Sequence, residues 1–166
     1  MGAVDEHKAH APKSVKVAVI TISDTRTEAT DESGKILKQL LLDAGHKILF
    51  LAIVKDEAKA IADAVEQASW TCDAIVTNGG TGLSKRDVTI ETLAPQLDKA
   101  LPGFGELFRI LSYRDIGAAA MLSGALAGVY KTRLLFCLPG SPAACILAMK
   151  SLILPELGHA IGVMNR

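Results

Sequence analysis

Apolar residues follow two rhythms along this chain, and the two alternate. Residues 15–22 (VKVAVITI) are rich in β-branched side chains and apolar almost throughout, as a strand covered on both faces must be, and the pattern predicts a first strand there. The polar stretch SDTRTEATDESG predicts a loop. Ile36, Leu37, Leu40, Leu41 and Ala44 then recur at helical spacing until Gly45, a C-terminal stop. Residues 48–54 predict a second buried strand, and Ile61, Ala62, Val65 and Ala68 a second helix beginning near Asp56. A third short strand over 74–77 runs into Asn78-Gly79-Gly80-Thr81-Gly82, a turn whose glycines permit close backbone approach to a ligand.

From 87 to 126 the pattern is mostly helical, interrupted by Pro102-Gly103-Phe104-Gly105 and closing in the small-residue stretch GAAAMLSGALAG. Val129-Tyr130 and residues 134–138 bracket Lys131-Thr132 as a hairpin. Pro139-Gly140-Ser141-Pro142 then opens a last long helix that Pro155 bends or restarts. Strands alternating with helices imply right-handed crossovers and an α/β fold: a mainly parallel sheet with helices on both faces. Ligands of such sheets bind beyond the carboxyl ends of the strands. Four polar or glycine-rich stretches fall at those ends, namely Ser23-Asp24, Lys55-Asp56, 78–82 and 139–142, and they are expected to converge on one rim.

Composition narrows the partners. With 166 residues, 49% of them hydrophobic, the chain can close one core, so 15–166 is expected to form a single domain behind a disordered polar tail over 1–14. Eighteen basic side chains balance eighteen acidic ones, which leaves no overall field for a nucleic acid or an anionic membrane surface. Aromatic residues, at 4%, offer no platform for stacked bases. The three cysteines show no C-x-x-C spacing, no apolar signal segment opens the chain, and no run reaches about 18 unbroken apolar residues. A cytoplasmic protein without nucleic-acid or membrane partners is expected. His7 and His10 lie in the polar tail and carry little weight as metal ligands.

The segment TNGGTGLSKRD combines glycines that expose amide donors with Lys85, Arg86 and the carboxylate of Asp87. Two readings stand: backbone amides holding phosphate beside a carboxylate that holds magnesium, or a tight turn with Asp87 capping the next helix. Asp56 reads in the same two ways, as an N-cap or as a partner of Asp87 on one magnesium ion. Ser23-Asp24 reads as a ligand-facing pair or a self-bonded turn, and Ser141 as an anion site or only a helix start. Neither the P-loop nor the dinucleotide fingerprint is present. Ser123, Ser141 and the cysteines lack a nucleophile elbow, and His46 and His159 have no evident connection to the rim, so hydrolase chemistry is discounted.

Taken together, TISD, VKDE, TNGGTGLSKRDVT, PGFGELFR, AMLSGALAG and LPGSPAA, in that order over about 120 residues, resemble the MoaB/MogA family of molybdenum-cofactor biosynthesis proteins, whose domain also occurs in gephyrin. The resemblance implies a three-layer α/β/α domain that forms a trimer or hexamer and binds molybdopterin along the rim. It further implies transfer of AMP from Mg·ATP to molybdopterin, with the product passing to a molybdate-insertion protein. By the same resemblance, Asp56 and Asp87 are the catalytic and magnesium-binding aspartates, and Gly79, Gly80, Thr81 and Gly82 form the nucleotide-phosphate loop. Ser23, Asp24, Gly103, Glu106, Ser123, Pro139, Gly140, Ser141 and Pro142 line the pocket. Some relatives hold pterin or act as scaffolds without catalysis, which is the alternative reading. One departure stands out: family members commonly carry S-R-A where this chain has Ser123-Gly124-Ala125, so an arginine restored at 124 is expected to tighten pterin binding, unless Lys85, Arg86 or Arg114 compensates.

Overall fold

A computed structural model describes residues 11–165. In chain order its elements are β1 (Lys16–Ile22), α1 (Glu32–Asp43), β2 (Lys47–Val54), α2 (Ala58–Ser69), β3 (Ala74–Asn78), α3 (Thr89–Leu93), β4 (Lys99–Ala100), α4 (Pro102–Ile116), β5 (Leu126–Tyr130), β6 (Arg133–Leu138), α5 (Pro142–Ala148) and α6 (Leu154–Met164). The six strands form one sheet in the order β2-β1-β3-β6-β5-β4. The first four neighbours run parallel, and β5 and β4 are added antiparallel, giving the mainly parallel α/β sheet that the alternation implies.

Side chains alternate across the pleat, so β1 sends Val17 and Val19 to one face and Ala18 and Ile20 to the other. On the first face they meet Leu37 and Leu41 of α1, Phe104 and Phe108 of α4, and Met149, Ile153 and Leu157 of the last helical segment. Phe104 and Phe136 pack edge to face, their centroids 5.3 Å apart. On the second face Ile61 and Val65 of α2 and Leu93 of α3 cover Ile75 and Leu135. Each such burial removes an apolar side chain from water for about 1.5–3 kcal/mol, which holds the three layers together.

Several elements depart from the pattern's expectation. The continuous apolar run of β2 suggested burial on both faces, yet β2 is an edge strand, with Leu49 49% and Leu51 52% exposed. A register shift beside Val17 leaves Leu49 without a partner position. Helix α1 starts four residues before its first apolar contact because Asp31 caps it: Asp31 Oδ1 accepts from the Gly34 amide at 2.9 Å. Pro102 does not interrupt a helix; it stands in the first turn of α4, where its missing N–H costs nothing. The two-residue strand β4 and two 3₁₀ turns, Ala94–Gln96 and Gly117–Leu122, break the stretch expected as mostly helical.

Other expectations hold. Lys131 and Thr132 adopt φ of 43° and 64°, the left-handed pair that a two-residue hairpin turn requires, and they join β5 to β6. Pro155 restarts the last helix after a π turn over Met149–Ile153. The segment Pro142–Met164 is long and apolar enough to cross a membrane by length and composition, but its Cys145, Ala148, Met149, Ile153, Leu157 and Ile161 line the first core. His46, which the pattern left unconnected to the rim, is a packing residue: it is buried, and its Nδ1 accepts from the Val15 amide at 3.2 Å. Of the tail expected to be disordered, residues 1–10, with His7 and His10, lie outside the described residues. The backbone of Ala11 and Pro12 lies against Gly158 and Gly162 of α6, and Ser14 Oγ donates to the Gly45 carbonyl at 2.9 Å.

Candidate functional site

Parallel strands end on the same side, and hydrogen bonds tie their loops together there. The Ser23 amide donates to the Val54 carbonyl at 2.8 Å, joining the ends of β1 and β2, and the Gly79 amide donates to the Leu138 carbonyl at 3.0 Å, joining β3 and β6. Ser33 Oγ donates to the Gly140 carbonyl at 2.7 Å. Below them Asn78 Nδ2 donates to Thr21 Oγ1 at 3.0 Å, and Thr21 Oγ1 donates to Asp31 Oδ2 at 2.6 Å, a buried polar chain that fixes β3, β1 and the start of α1. Because β5 runs antiparallel, Ser123-Gly124-Ala125 lead into it at this same end, and β4 delivers the first turn of α4 there. All the expected loops therefore share one rim.

The glycine turn lies directly on two carboxylates. Gly79 and Gly80 have φ of 99° and 65°, which side chains rarely adopt. A Cβ on Gly80 would stand 2.7 Å from Asp56 Oδ1 and 2.3 Å from Thr89 Oγ1, and one on Gly82 would stand 2.9 Å from Asp87 Oδ2. Thr89 holds the turn from beneath: its hydroxyl donates to the Gly79 carbonyl at 3.0 Å and its amide to the Gly80 carbonyl at 2.9 Å. The amides of Gly80, Thr81 and Gly82 enter no backbone hydrogen bond among the described residues.

Capping does not account for either aspartate. Glu57 occupies the N-cap position of α2 and Val88 that of α3, neither with a side-chain cap. Asp87 instead closes its own turn, Oδ2 accepting from the Ser84 amide at 3.0 Å. Asp56 Oδ1 is buried without a hydrogen-bond partner among the described residues, an arrangement that costs about 1–3 kcal/mol for an ordinary polar atom and more for a charged one. Burial, then the charges of Asp24 and Asp87, raise the Asp56 carboxyl above its usual range. Among the described residues no three His, Cys, Asp or Glu side chains are grouped to hold a metal ion by themselves. A magnesium ion takes one or two carboxylates and completes its shell with water and substrate phosphates, and the unpartnered Oδ1 of Asp56 is an oxygen donor of that kind.

Other expected residues have local tasks. Ser23 Oγ accepts from the Thr25 and Arg26 amides at 3.2 and 3.1 Å, and Ser141 Oγ caps α5 by accepting from the Ala144 amide at 3.2 Å. Asp24 Oδ1 accepts from the Asp56 amide at 3.3 Å, and its Oδ2 accepts from Arg86. Gly103 lies in the first turn of α4, on the rim side, and the exposed Glu106 follows in the next turn, with no hydrogen bond between its side chain and the loops among the described residues. Burial pushes the Cys137 and Cys145 thiols to about 12, so neither supplies a thiolate. The pattern did not single out Thr21, Asp31 or Thr89; the one available cue was a polar residue closing an apolar strand or preceding a helix. A cavity of about 340 Å³ lies between α1 and the β1–β2 edge, lined by Val19, Thr21, Asp31, Lys35, Lys38 and Leu51 among others. It reaches the Thr21–Asp31 link beneath the rim, but no residue of the glycine turn lines it.

Fold and rim together define a three-layer, mainly parallel α/β domain whose polar and glycine-rich loops gather at the carboxyl ends of the parallel strands. A family described as a probable molybdopterin binding domain matches residues 18–159. The chain belongs to this family, the MoaB/MogA family. It is 52% identical over 166 residues to molybdenum cofactor biosynthesis protein B of Bacillus cereus, covering 98% of each chain. A crystal structure of a molybdenum cofactor biosynthesis protein B superposes with a TM-score of 0.91 at 51% identity, covering 95% of this chain and 99% of that one. The tungsten cofactor synthesizing protein MoaB from Pyrococcus furiosus superposes with a TM-score of 0.87 at 34% identity, covering 94% and 100%.

Proposed function

We propose that the chain works in molybdenum-cofactor biosynthesis, binding molybdopterin on the rim and adenylylating it with Mg·ATP. The observation that carries this reading is the buried, unpartnered Oδ1 of Asp56 beneath the backbone of Gly80, with Asp87 beside Gly82. Asp56 and Asp87 would hold magnesium, which when bound neutralises charge on the triphosphate and the departing pyrophosphate. The backbone of Gly80, Thr81 and Gly82 offers amides to phosphate oxygens. Ser123, Gly103, Glu106 and 139–142 form the wall on which the pterin would rest. In the transfer, a terminal phosphate oxygen of molybdopterin attacks the α-phosphorus of ATP, the bond to the β-bridging oxygen breaks, and pyrophosphate leaves with that electron pair. The protein needs no nucleophile of its own; holding two anions in line is its contribution.

Self-association belongs to the same reading. Leu107, Ile110, Tyr113 and Ile116 form an exposed apolar stripe along α4, continued by Met121 and Leu122. A patch of this kind, beyond a few hundred Å² on a monomer, marks an interaction surface, and a trimer or hexamer would cover it. Three buried free cysteines suit a reducing cytoplasm, where the adenylylated product would pass to a molybdate-insertion protein. The test is to supply molybdopterin with ATP labelled at the α-phosphate and, separately, at the γ-phosphate. Label on the pterin from the α-position alone supports adenylylation. Label from the γ-position would make the protein a kinase, and none from either a pterin binder.

A further inference from the structure

Arg86 and Asp24 are 62 residues apart in the chain and meet across the rim, where an Arg86 guanidinium nitrogen donates to Asp24 Oδ2. The other oxygen of the same carboxylate holds the Asp56 amide. Asp24 thus ties together the loop that carries Asp56 and the loop that carries Asp87. The pair is lopsided: the Arg86 side chain is 74% exposed and that of Asp24 25%. An ion pair with one partner so open to water contributes little to stability, and its guanidinium exchanges easily to another oxyanion. The favoured alternative is a phosphate, whose oxygens match the guanidinium fork two at a time.

Charge at the rim makes that exchange consequential. Asp24, Asp56 and Asp87 bring three negative charges to one edge, and Arg86 offsets one of them. A divalent cation held by Asp56 and Asp87 would meet a third carboxylate, Asp24, already engaged by the guanidinium. A polyphosphate that drew the guanidinium away would leave the charge of Asp24 to the cation. We propose that Arg86 is an exchangeable counter-ion, resting on Asp24 in the ligand-free protein and moving to a polyphosphate when one binds, so that metal and polyphosphate each favour binding of the other. This inference rests on the Mg·ATP reading of the rim and assigns Arg86 a positioning role within it. Coupling between the two ligands follows from linkage, because both stabilise the state in which the pair is open.

The experiment uses the full chain with Mn²⁺ as the metal probe, followed by electron paramagnetic resonance of the free ion, and inorganic tripolyphosphate as the anion probe, followed by calorimetry. In Arg86→Gln, Mn²⁺ alone is expected to bind more tightly and tripolyphosphate alone more weakly. The mutual enhancement seen in the unmodified protein, about fivefold or more, should disappear. Asp24→Asn gives the opposite pattern: tripolyphosphate alone binds at least as well as before, and Mn²⁺ binds less well. Loss of both affinities in Arg86→Gln would mean that Arg86 only props the loop, and unchanged Mn²⁺ affinity would remove the competition; either result overturns the exchange while leaving the Mg·ATP reading intact. Binding of neither probe by the unmodified protein would overturn both.

Discussion

The backbone of Gly124 rests on the carbonyl of Thr81, so closely that a Cβ on Gly124 would stand 2.0 Å from that oxygen and 2.8 Å from Ile90 Cδ1. The segment leading into β5 and the glycine turn are therefore one packed unit. This overturns the expectation that an arginine at 124 would supply a missing phosphate contact, since no side chain fits there unless the turn moves. Gly124→Ala should cost about 1–3 kcal/mol in urea denaturation and weaken ATP binding, with Gly124→Arg worse on both counts. An arginine variant that bound pterin more tightly with unchanged stability would contradict the packing.

Asp56 carries a charge in a place that disfavours it, through burial first and then through Asp24 and Asp87. Asp56→Asn removes that charge and nearly keeps the shape. The ligand-free variant should melt no lower than the parent protein, while its stabilisation by Mg·ATP falls away. Melting curves with and without Mg·ATP read both quantities. A variant that melts well below the parent without ligand would make Asp56 a structural residue.

Glu66 should mark the acid limb of stability. It accepts hydrogen bonds from Tyr130 Oη at 2.6 Å and Trp70 Nε1 at 3.3 Å and pairs with Lys131, and it pins α2 to the β5–β6 hairpin. Its hydrogen bonds with Lys131 first and Tyr130 second lower its carboxyl from 4.5 to about 2. A depressed carboxylate contributes stability that is present above its unfolded value and lost as pH falls through the folded one. The loss therefore runs from about pH 4.5 down toward pH 2. Glu66→Gln should flatten the denaturation midpoint across that window, and an unchanged slope would show that the pin does not matter.

Replacing Ile110, 56% exposed in the middle of the α4 stripe, by Asp places a charge where a second copy would pack. Sedimentation should shift from an oligomer to the monomer, with the far-ultraviolet spectrum retained. A parent protein that already sediments as a monomer would remove the stripe from the assembly.

Much of this was legible in the sequence because a parallel sheet writes its buried strands as continuous apolar runs, and β1 and β3 are such runs. The edge position of β2 was not legible: KILFLAIV reads like a covered strand, and only strand order shows that one side has no neighbour. Two-residue β4 is too short for any period to register. At the site, strand ends and glycine spacing located Asp24, Asp56, 78–82 and Asp87, since the topology carries loops of that kind to one rim. The ion pair of Asp24 with Arg86 and the contact of Gly124 with Thr81 join residues far apart in the chain, and neither has a local pattern to announce it. Asp31 hid for a different reason, because the first turn it caps is polar.

The most direct measurement is the mass of the pterin product formed from freshly prepared molybdopterin and ATP, with magnesium, without it, and with Asp87→Asn. Asparagine there keeps the size of the side chain and can keep the hydrogen bond from the Ser84 amide. An AMP-bearing product that requires magnesium and is lost in the folded variant is the expected result. Pterin bound but unmodified by the parent protein in magnesium and ATP would contradict adenylylation.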